Sequence, residues 1–196
     1  MNIKAIETRY KGCRFRSRLE ARWAVFFDAI ATPWDYEPEG FHLQDGSLYL
    51  PDFWLPDVYD RSGAKGIWFE VKGNYPTPGE DHKCHLLCLG TGKSVVMFSG
   101  AISDDPWGEA EGYQWNTITG DEIHHPFGDA VGTVGWDNGQ RFHSCEDCGA
   151  VKVEFLNDYF HCPECGAPES CRWDSLKIEK AIVRARSARF EHGEMA

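Results

Sequence analysis

The run GIWFEVK, residues 66–72, places an acid and a lysine where both could act on one substrate. Alternate side chains of a β-strand share a face, so Glu70 and Lys72 would point the same way beside Trp68. The residues between them are apolar and would pack against a core. The strand therefore presents a carboxylate and a cation side by side on a supported face.

Asp52 follows Pro51 in the preceding strand-like run, SLYLPDFWL. If the two strands pair as an antiparallel hairpin, Asp52 lies beside Glu70. Two adjacent carboxylates form the oxygen-rich kind of site that Mg²⁺ prefers. Such an ion lowers the pKa of a bound water and offsets charge that develops on a phosphate, and Lys72 would add a second positive charge. The pattern favours metal-assisted hydrolysis of a phosphate ester.

These residues together resemble the PD-(D/E)XK nuclease superfamily. Pro51 and Asp52 are followed after seventeen residues by Glu70, Val71 and Lys72, within an order of helix, three strands, helix and strand. The runs YKGCRFRSRLEARWAVFFD, YEPEGF, YLPDFWLP and EVKG also resemble small bacteriophage-encoded endonucleases, over about residues 10–100. The resemblance implies an α/β, restriction-endonuclease-like core and hydrolysis of DNA that depends on Mg²⁺ or Mn²⁺.

The resemblance also implies roles for single residues. Asp52, Glu70 and the carbonyl group of Val71 would bind Mg²⁺ or Mn²⁺, and Lys72 would be the catalytic cation. Glu20 matches the additional acid that many members carry on their first helix, and it would be a further metal ligand. A structural role competes for Glu20, because Ser17 and Glu20 have the spacing of a helix capping box.

Two CxxC pairs are the most specific local pattern in the chain: Cys145 with Cys148, and Cys162 with Cys165. A glycine after each pair permits the tight turn of a zinc knuckle, and four thiolates suit one tetrahedral Zn²⁺. The pattern predicts a structural zinc ribbon, with a hairpin of residues 151–155 and 159–162 between the pairs. Free thiols in the core or at the surface are predicted for Cys13, Cys84, Cys88 and Cys171.

The net charge of -11 conceals local basic regions. Residues 1–30 carry seven lysines or arginines against three acids, while residues 31–140 carry five against eighteen. Local basic surface, rather than total charge, is what contact with phosphates requires. Nucleic-acid contacts are therefore expected from Arg14, Arg16, Arg18 and Arg22 in the first basic region and from Lys177, Lys180, Arg184 and Arg186 in the last.

Hydrophobic periodicity predicts the elements that position these residues. Helical spacing predicts amphipathic helices over 15–30, 80–89 and 175–190. Strands are predicted over 34–43, 47–55, 66–72 and 94–99, with further strands near 113–115 and 131–136. Asp45 and Gly46 predict a hairpin turn. The last helix either binds DNA or packs on the ribbon or on a second subunit, which leaves a homodimer open.

The expected organisation is a nuclease domain over residues 1–103, an irregular acidic connector over 104–139, a zinc ribbon over 140–170, and a basic helix and tail over 171–196. No apolar run approaches the roughly 20 residues of a membrane helix, and the first residues lack a secretory signal. A cytoplasmic protein without a membrane partner is expected. The run GTGKS lacks the first glycine of a P-loop, so no nucleotide is expected.

These observations predict a metal-dependent DNA endonuclease. The expected setting is phage recombination, repair or genome processing in the host cytoplasm, with branched DNA as the preferred substrate. The alternative is a catalytically inactive, zinc-containing DNA-binding or adaptor protein. The presence of Asp52, Glu70 and Lys72 together argues against that alternative, because an idle site has no reason to keep all three.

Overall fold

The architecture is a mixed β-sheet with helices on both faces. The computed structural model describes residues 6–60, 62–74, 76–102, 111–115, 140–155, 161–167 and 175–190. In chain order the elements are β1 (Thr8–Tyr10), β2 (Cys13–Phe15), α1 (Arg18–Ala29), β3 (Asp35–Tyr36), β4 (Phe41–His42), β5 (Leu48–Tyr49), β6 (Phe53–Tyr59), β7 (Lys65–Lys72), α2 (Pro78–Thr91), β8 (Val95–Ser99), β9 (Glu111–Trp115), β10 (Gln140–Ser144), β11 (Val151–Phe155) and α3 (Ser175–Ser187).

The antiparallel pair β6 and β7 forms the centre of the sheet. Phe53 lies opposite Phe69, and Leu55 lies opposite Ile67. Across the described strands the order is β10, β11, β6, β7, β8 and β9, and β3 also pairs with β6. Two of the pairings are parallel, β11 with β6 and β7 with β8. The predicted mixed α/β fold is confirmed at this level.

Alternation along β7 separates two hydrophobic layers. Phe69 belongs to the large cluster that α1 and α3 cover, where it contacts the rings of Trp23 and Phe27. Trp68 belongs to a smaller cluster beneath α2. Because side chains alternate along a strand, Glu70 and Lys72 project on the α2 side with Trp68. This agrees with the shared face predicted from the sequence.

The first helix begins later than predicted, at Arg18 rather than residue 15. The hydroxyl oxygen of Ser17 accepts a hydrogen bond from the Glu20 amide at 3.1 Å and caps the helix there. The residues before it form a hairpin of β1 and β2 that was not predicted. Its two-residue turn, Lys11 and Gly12, has positive φ at both positions, as the tightest hairpins require.

Prolines shorten or distort the predicted strands. The strand predicted over 47–55 is divided at Pro51 into β5 and β6, because proline cannot donate a ladder hydrogen bond. The strand predicted over 34–43 is likewise divided into β3 and β4. β6 continues past its predicted end to Tyr59, with a register shift in the segment that contains Pro56. The predicted hairpin turn at Asp45 and Gly46 is confirmed between β4 and β5.

The second helix is longer at both ends than the predicted 80–89. Pro78 occupies its first turn, and Thr77 with Glu80 forms a reciprocal capping box. The helix ends at Thr91, and Gly92 caps it with a φ of 65°. The strand predicted over 94–99 is β8.

The strands before and after the first cysteine pair belong to the main sheet. β11 pairs antiparallel with β10 and parallel with β6, so the cysteine region continues the sheet that carries Asp52 and Glu70. The predicted pairing of residues 151–155 with 159–162 involves positions outside the described residues and stays a prediction. The strand predicted near 131–136 and Cys171 also lie outside them, whereas β9 matches the strand predicted near 113–115.

The C-terminal helix α3 packs its apolar stripe into the large core. Ile178, Ala181 and Ala185 are buried in the same cluster as α1. The predicted amphipathic helix is confirmed. It packs on α1 and on β10, a strand within the range predicted for the ribbon. The opposite side of α3 is exposed at Lys180 and Arg184.

One matched pair of substitutions tests this packing. Ala185 is fully buried, while Val183 on the same helix is 56% exposed. We expect Ala185→Asp to lower the free energy of unfolding by about 3–5 kcal/mol, because it buries an unpaired charge. Val183→Asp, which adds the same residue to the same helix, should change stability by less than about 1 kcal/mol. Urea unfolding measures both, and equal losses would mean that α3 is not part of the core.

Candidate functional site

Pairing of β6 with β7 brings the two predicted acids together. Both carboxylates are buried. The amide of Asp52 donates to Glu70 Oε2 at 3.2 Å, and the amide of Val71 donates to Asp52 Oδ2 at 2.8 Å. The side chains are therefore held by the backbone of the opposite strand, which gives the pair a fixed geometry.

Lys72 lies against the same pair. Its Nζ is 2.8 Å from Glu70 Oε1 and 3.1 Å from Glu80 Oε1, at the start of α2. Burial opposes the charge on Lys72, but the two carboxylates outweigh it, and the pKa of Lys72 lies above its ordinary value. The lysine is a permanent cation at physiological pH.

Glu20 reaches the site from the first turn of α1 and has a structural role as well. Its Oε1 accepts from the Ser17 hydroxyl at 2.7 Å, and its Oε2 accepts from the Arg16 amide at 3.1 Å and the Tyr36 hydroxyl at 2.5 Å. The carboxylate thus caps the amide of Arg16, one residue before the amide that a standard capping box would use. The Ser17 half of the predicted capping box is confirmed, and the metal-ligand role of Glu20 stays a prediction.

A cavity of about 370 Å³ joins these groups. It is lined by Arg16, Glu20, Leu48, Tyr49, Leu50, Asp52, Glu70, Val71 and Lys72. Leu48 and Leu50 are exposed and contribute apolar surface to it. All four residues predicted to be catalytic therefore line one cavity.

The chemistry of the cavity suits a hard divalent cation. Burial, then Glu70 and then Glu20 raise the pKa of Asp52 well above its ordinary value, despite the opposing effect of Arg16. Three carboxylates in one buried place repel each other, and a cation among them would relieve that repulsion. Oxygen donors of this kind match Mg²⁺ or Mn²⁺. The residue types match the predicted ion. Within the described residues, however, the group whose donor atoms already lie close enough together to hold a metal is that of Cys145, Cys148, Cys162 and Cys165, so the Mg²⁺ site stays a prediction.

The four N-terminal arginines predicted to contact nucleic acid differ in position. Arg16 lines the cavity, with Nη2 at 2.6 Å from Asp52 Oδ1 and Nε at 2.7 Å from Glu37 Oε1. Arg14 is exposed and forms an ion pair with Glu7. Arg18 and Arg22 lie on α1 and are half-buried.

The C-terminal basic residues differ in their exposure to solvent. Lys177 is half-buried and donates from Nζ to the Ser144 hydroxyl at 3.2 Å. Lys180, Arg184 and Arg186 are exposed. Their predicted contact with DNA stays a prediction.

Sequence reasoning missed three polar neighbours of the site. The Tyr36 hydroxyl donates a hydrogen bond to Glu20, and Glu37 forms an ion pair with Arg16. Both residues belong to the run YEPEGF, which carries part of the family resemblance. Glu80 holds Lys72 and also caps α2. A capping signal at Thr77 was readable in the sequence, but its proximity to Lys72 depends on the tertiary fold.

The four cysteines of the CxxC pairs form a second cluster. Their sulfur atoms all lie within 4.8 Å of one another, with Cys145 and Cys165 at 3.8 Å and Cys148 and Cys162 at 3.6 Å. A tetrahedron with Zn–S distances of about 2.3 Å has edges of about 3.8 Å. The cluster could therefore hold a structural metal ion such as zinc.

The two turns of this cluster share one backbone geometry. The amide of Gly149 donates to the Cys145 carbonyl, and the amide of Gly166 donates to the Cys162 carbonyl, each at 2.8 Å. Both glycines have positive φ, 76° and 70°. The predicted requirement for glycine after each pair is met in the same way twice.

The cysteine cluster lies at the end of β6 opposite to Asp52. Glu164 accepts a hydrogen bond from the Tyr59 hydroxyl, and Pro163 approaches Gly63 in the turn after β6. Since a strand rises about 3.3 Å per residue, the seven residues of β6 separate the cluster from Asp52 by roughly 20 Å. The two candidate metal sites are therefore distinct.

The three remaining described cysteines form no disulfide. Cys84 and Cys88 are buried in α2, and Cys13 is half-buried in β2. Burial raises the pKa of Cys84, whose sulfur lies 3.1 Å from the Tyr49 hydroxyl. A buried thiol with a raised pKa is a poor nucleophile.

Within the described part of the chain, none of the helices is both long and apolar enough to cross a bilayer. Comparison of the chain with protein-family models, with curated proteins and with solved structures returned no match. The function is therefore argued from the site itself.

The cysteine cluster makes a prediction about metal content. We expect the purified protein to hold about one zinc per chain and Cys148→Ser to lose it, because a structural zinc site needs all four ligands. Cys148→Ser should also unfold at a lower temperature, since zinc binding contributes to folding free energy. Elemental analysis and thermal unfolding provide the two measurements.

Cys13→Ser is the matched control, because it removes a thiol outside the cluster. It should retain the metal. Zinc retention by Cys148→Ser, or a protein without zinc, would contradict the assignment.

Proposed function

We propose that this protein is a metal-dependent DNA endonuclease of the PD-(D/E)XK type, with a structural zinc site. The observation that carries the proposal is the buried pair of Asp52 and Glu70, with Lys72 against it and Glu20 in the same cavity. Buried carboxylates are costly unless paired or bound to metal. A fold that brings three of them together favours a function that uses their charge.

The roles follow from the contacts. Asp52 and Glu70, with Glu20 and the carbonyl group of Val71, would hold Mg²⁺ or Mn²⁺. When bound, the ion supplies Lewis acidity to the phosphate and lowers the pKa of water. Lys72, kept charged by Glu70 and Glu80, would orient the attacking water or stabilise charge on the phosphate. Tyr36 would position Glu20 through its hydroxyl hydrogen bond.

DNA is the proposed substrate because the site combines charge and apolar surface. Arg16 offers a planar guanidinium, which is suited to a phosphate. Leu48 and Leu50 could contact sugars or bases beside the scissile phosphate. The exposed basic residues of α3 would add contacts with the phosphate backbone. Branched DNA is the preferred substrate. The proposed enzyme is phage-encoded and acts in the host cytoplasm.

One observation favours the alternative of an inactive DNA-binding or adaptor protein. The Arg16 guanidinium lies 2.6 Å from Asp52, and an arginine that stayed there permanently would obstruct metal binding. Cleavage assays distinguish the two functions, because an adaptor would bind DNA without hydrolysing it.

Isosteric substitutions in the site test the proposed activity. Asp52→Asn, Glu70→Gln and Lys72→Met are each expected to reduce Mg²⁺-dependent cleavage at least about a hundredfold, because each removes charge at the reacting phosphate. The pKa of Asp52 is raised in the folded protein, so its ionised form costs stability, and Asp52→Asn should not lower the melting temperature. Gel assays on linear, nicked, single-stranded and branched DNA measure the rates.

Asp57→Asn is the matched control, since Asp57 is an exposed acid on β6 that pairs with Lys65 outside the cavity. It should cleave at the unmodified rate. Full activity in EDTA, or in Asp52→Asn, would refute the proposed metal-dependent mechanism.

Glu20→Gln separates the structural role of Glu20 from metal binding. A glutamine could still accept from Tyr36 and Arg16 through its oxygen while its amide nitrogen donates to Ser17, so the helix should keep its cap. Gln is a much poorer ligand for a hard cation. We expect an unchanged melting temperature with cleavage reduced tenfold to a thousandfold, about 1.4–4 kcal/mol of activation free energy. A folded and fully active variant would leave Glu20 with the capping role alone.

A further inference from the structure

The side chain of Arg16 stands where the candidate metal site needs a cation. Its Nη2 is 2.6 Å from Asp52 Oδ1, and Asp52 Oδ2 already accepts from the Val71 amide. The oxygen of Asp52 that is not held by the backbone is therefore held by arginine. Glu37 binds the other side of the guanidinium through Nε, at 2.7 Å.

Charge explains why Arg16 lies there. Two of the described residues that line the cavity are cationic, Arg16 and Lys72. Lys72 is engaged by Glu70 and Glu80. Arg16 is thus the cation that offsets Asp52, whose pKa is raised by burial and by the other two carboxylates. A divalent ion at Asp52 would offset the same charge.

Arg16 can leave Asp52 without disturbing the fold. Its side chain is 57% exposed, whereas that of Asp52 is buried. Its backbone is anchored separately, because the Arg16 amide donates to Glu20 Oε2 and to the Tyr36 hydroxyl. The guanidinium can therefore move while its backbone stays in place.

We propose that Arg16 occupies the divalent-cation position at Asp52 and that metal binding redirects its guanidinium to the phosphate of the substrate. This inference rests on the proposed nuclease function. Glu37 would keep its hold on Nε, and the freed Nη2 would face the cavity. A guanidinium so placed can form paired hydrogen bonds with phosphate oxygens. Arg16 is then a competitor of the metal before DNA binds and a substrate contact afterwards.

The proposal predicts that Arg16→Gln strengthens Mn²⁺ binding but weakens DNA cleavage. Calorimetric titration of Mn²⁺ into zinc-loaded protein without DNA should show about tenfold tighter binding to Arg16→Gln, since removal of a nearby cation favours a second one by at least that much. Cleavage at saturating Mn²⁺ should instead become slower and the KM for DNA higher. Arg16→Lys should keep the weak Mn²⁺ binding but recover the KM only in part, because lysine lacks the planar fork.

Two further variants test whether the heat of Mn²⁺ binding comes from the site at Asp52. Asp52→Ala should abolish the Mn²⁺ heat, which places the ion at this site. Arg9→Gln removes the same charge from an exposed position on β1 and should leave Mn²⁺ affinity unchanged. Thermal unfolding of each variant verifies that it is folded.

The outcomes separate this inference from the proposed function. If the unmodified protein binds Mn²⁺ and cleaves DNA but Arg16→Gln binds Mn²⁺ no more tightly, Arg16 does not compete with the metal and this inference alone is overturned. If the unmodified protein neither binds Mn²⁺ nor cleaves DNA, both are overturned. Tighter Mn²⁺ binding together with weaker DNA cleavage in Arg16→Gln supports both.

Discussion

Antiparallel pairing of β6 with β7 is the constraint on which the candidate site depends. Phe53 opposite Phe69 places Asp52 next to Glu70. The Asp52 amide donates to the Glu70 carboxylate, and the Val71 amide donates to the Asp52 carboxylate, so each strand holds the acid of the other. If β6 slipped by one residue, Asp52 would turn toward the core under α1 and Phe53 toward the cavity. The apolar packing on one face therefore enforces the register that the polar face requires.

The surrounding elements make this concentration of buried charge tolerable. Lys72 offsets Glu70, Arg16 offsets Asp52, and Glu20 is satisfied by the start of α1 and by Tyr36. The compensation is incomplete, because the pKa of Asp52 remains raised. Burial of the Asp52 carboxylate, followed by repulsion from Glu70 and Glu20, lowers stability, and such costs cluster at functional sites.

Local patterns predicted much of this arrangement, and long-range pairing limited the rest. The period of two along β7 was enough to put Glu70 and Lys72 on one face, and the CxxC spacing was enough to predict the sulfur cluster. The division of β5 from β6 at Pro51 follows from the missing amide hydrogen of proline, but the apolar pattern of residues 47–55 still predicted one continuous strand. The pairing of β11 with β6, and the contact of Glu80 with Lys72, could not be read from the sequence, because neither depends on neighbours along the chain.

The cysteine cluster and the acidic cavity act on opposite ends of the same strand pair. Tyr59 bonds to Glu164 beyond the register shift in β6, and β11 adds a parallel partner at Val58 and Tyr59. That end of β6 contains Pro56 and has irregular pairing with β7, so it is the end where the register is least secured by hydrogen bonds. A metal ion such as zinc held by the four cysteines would add rigidity at this position. Under the proposed function, the cavity at the other end would instead hold its ion through carboxylates, which leave coordination positions for water and substrate.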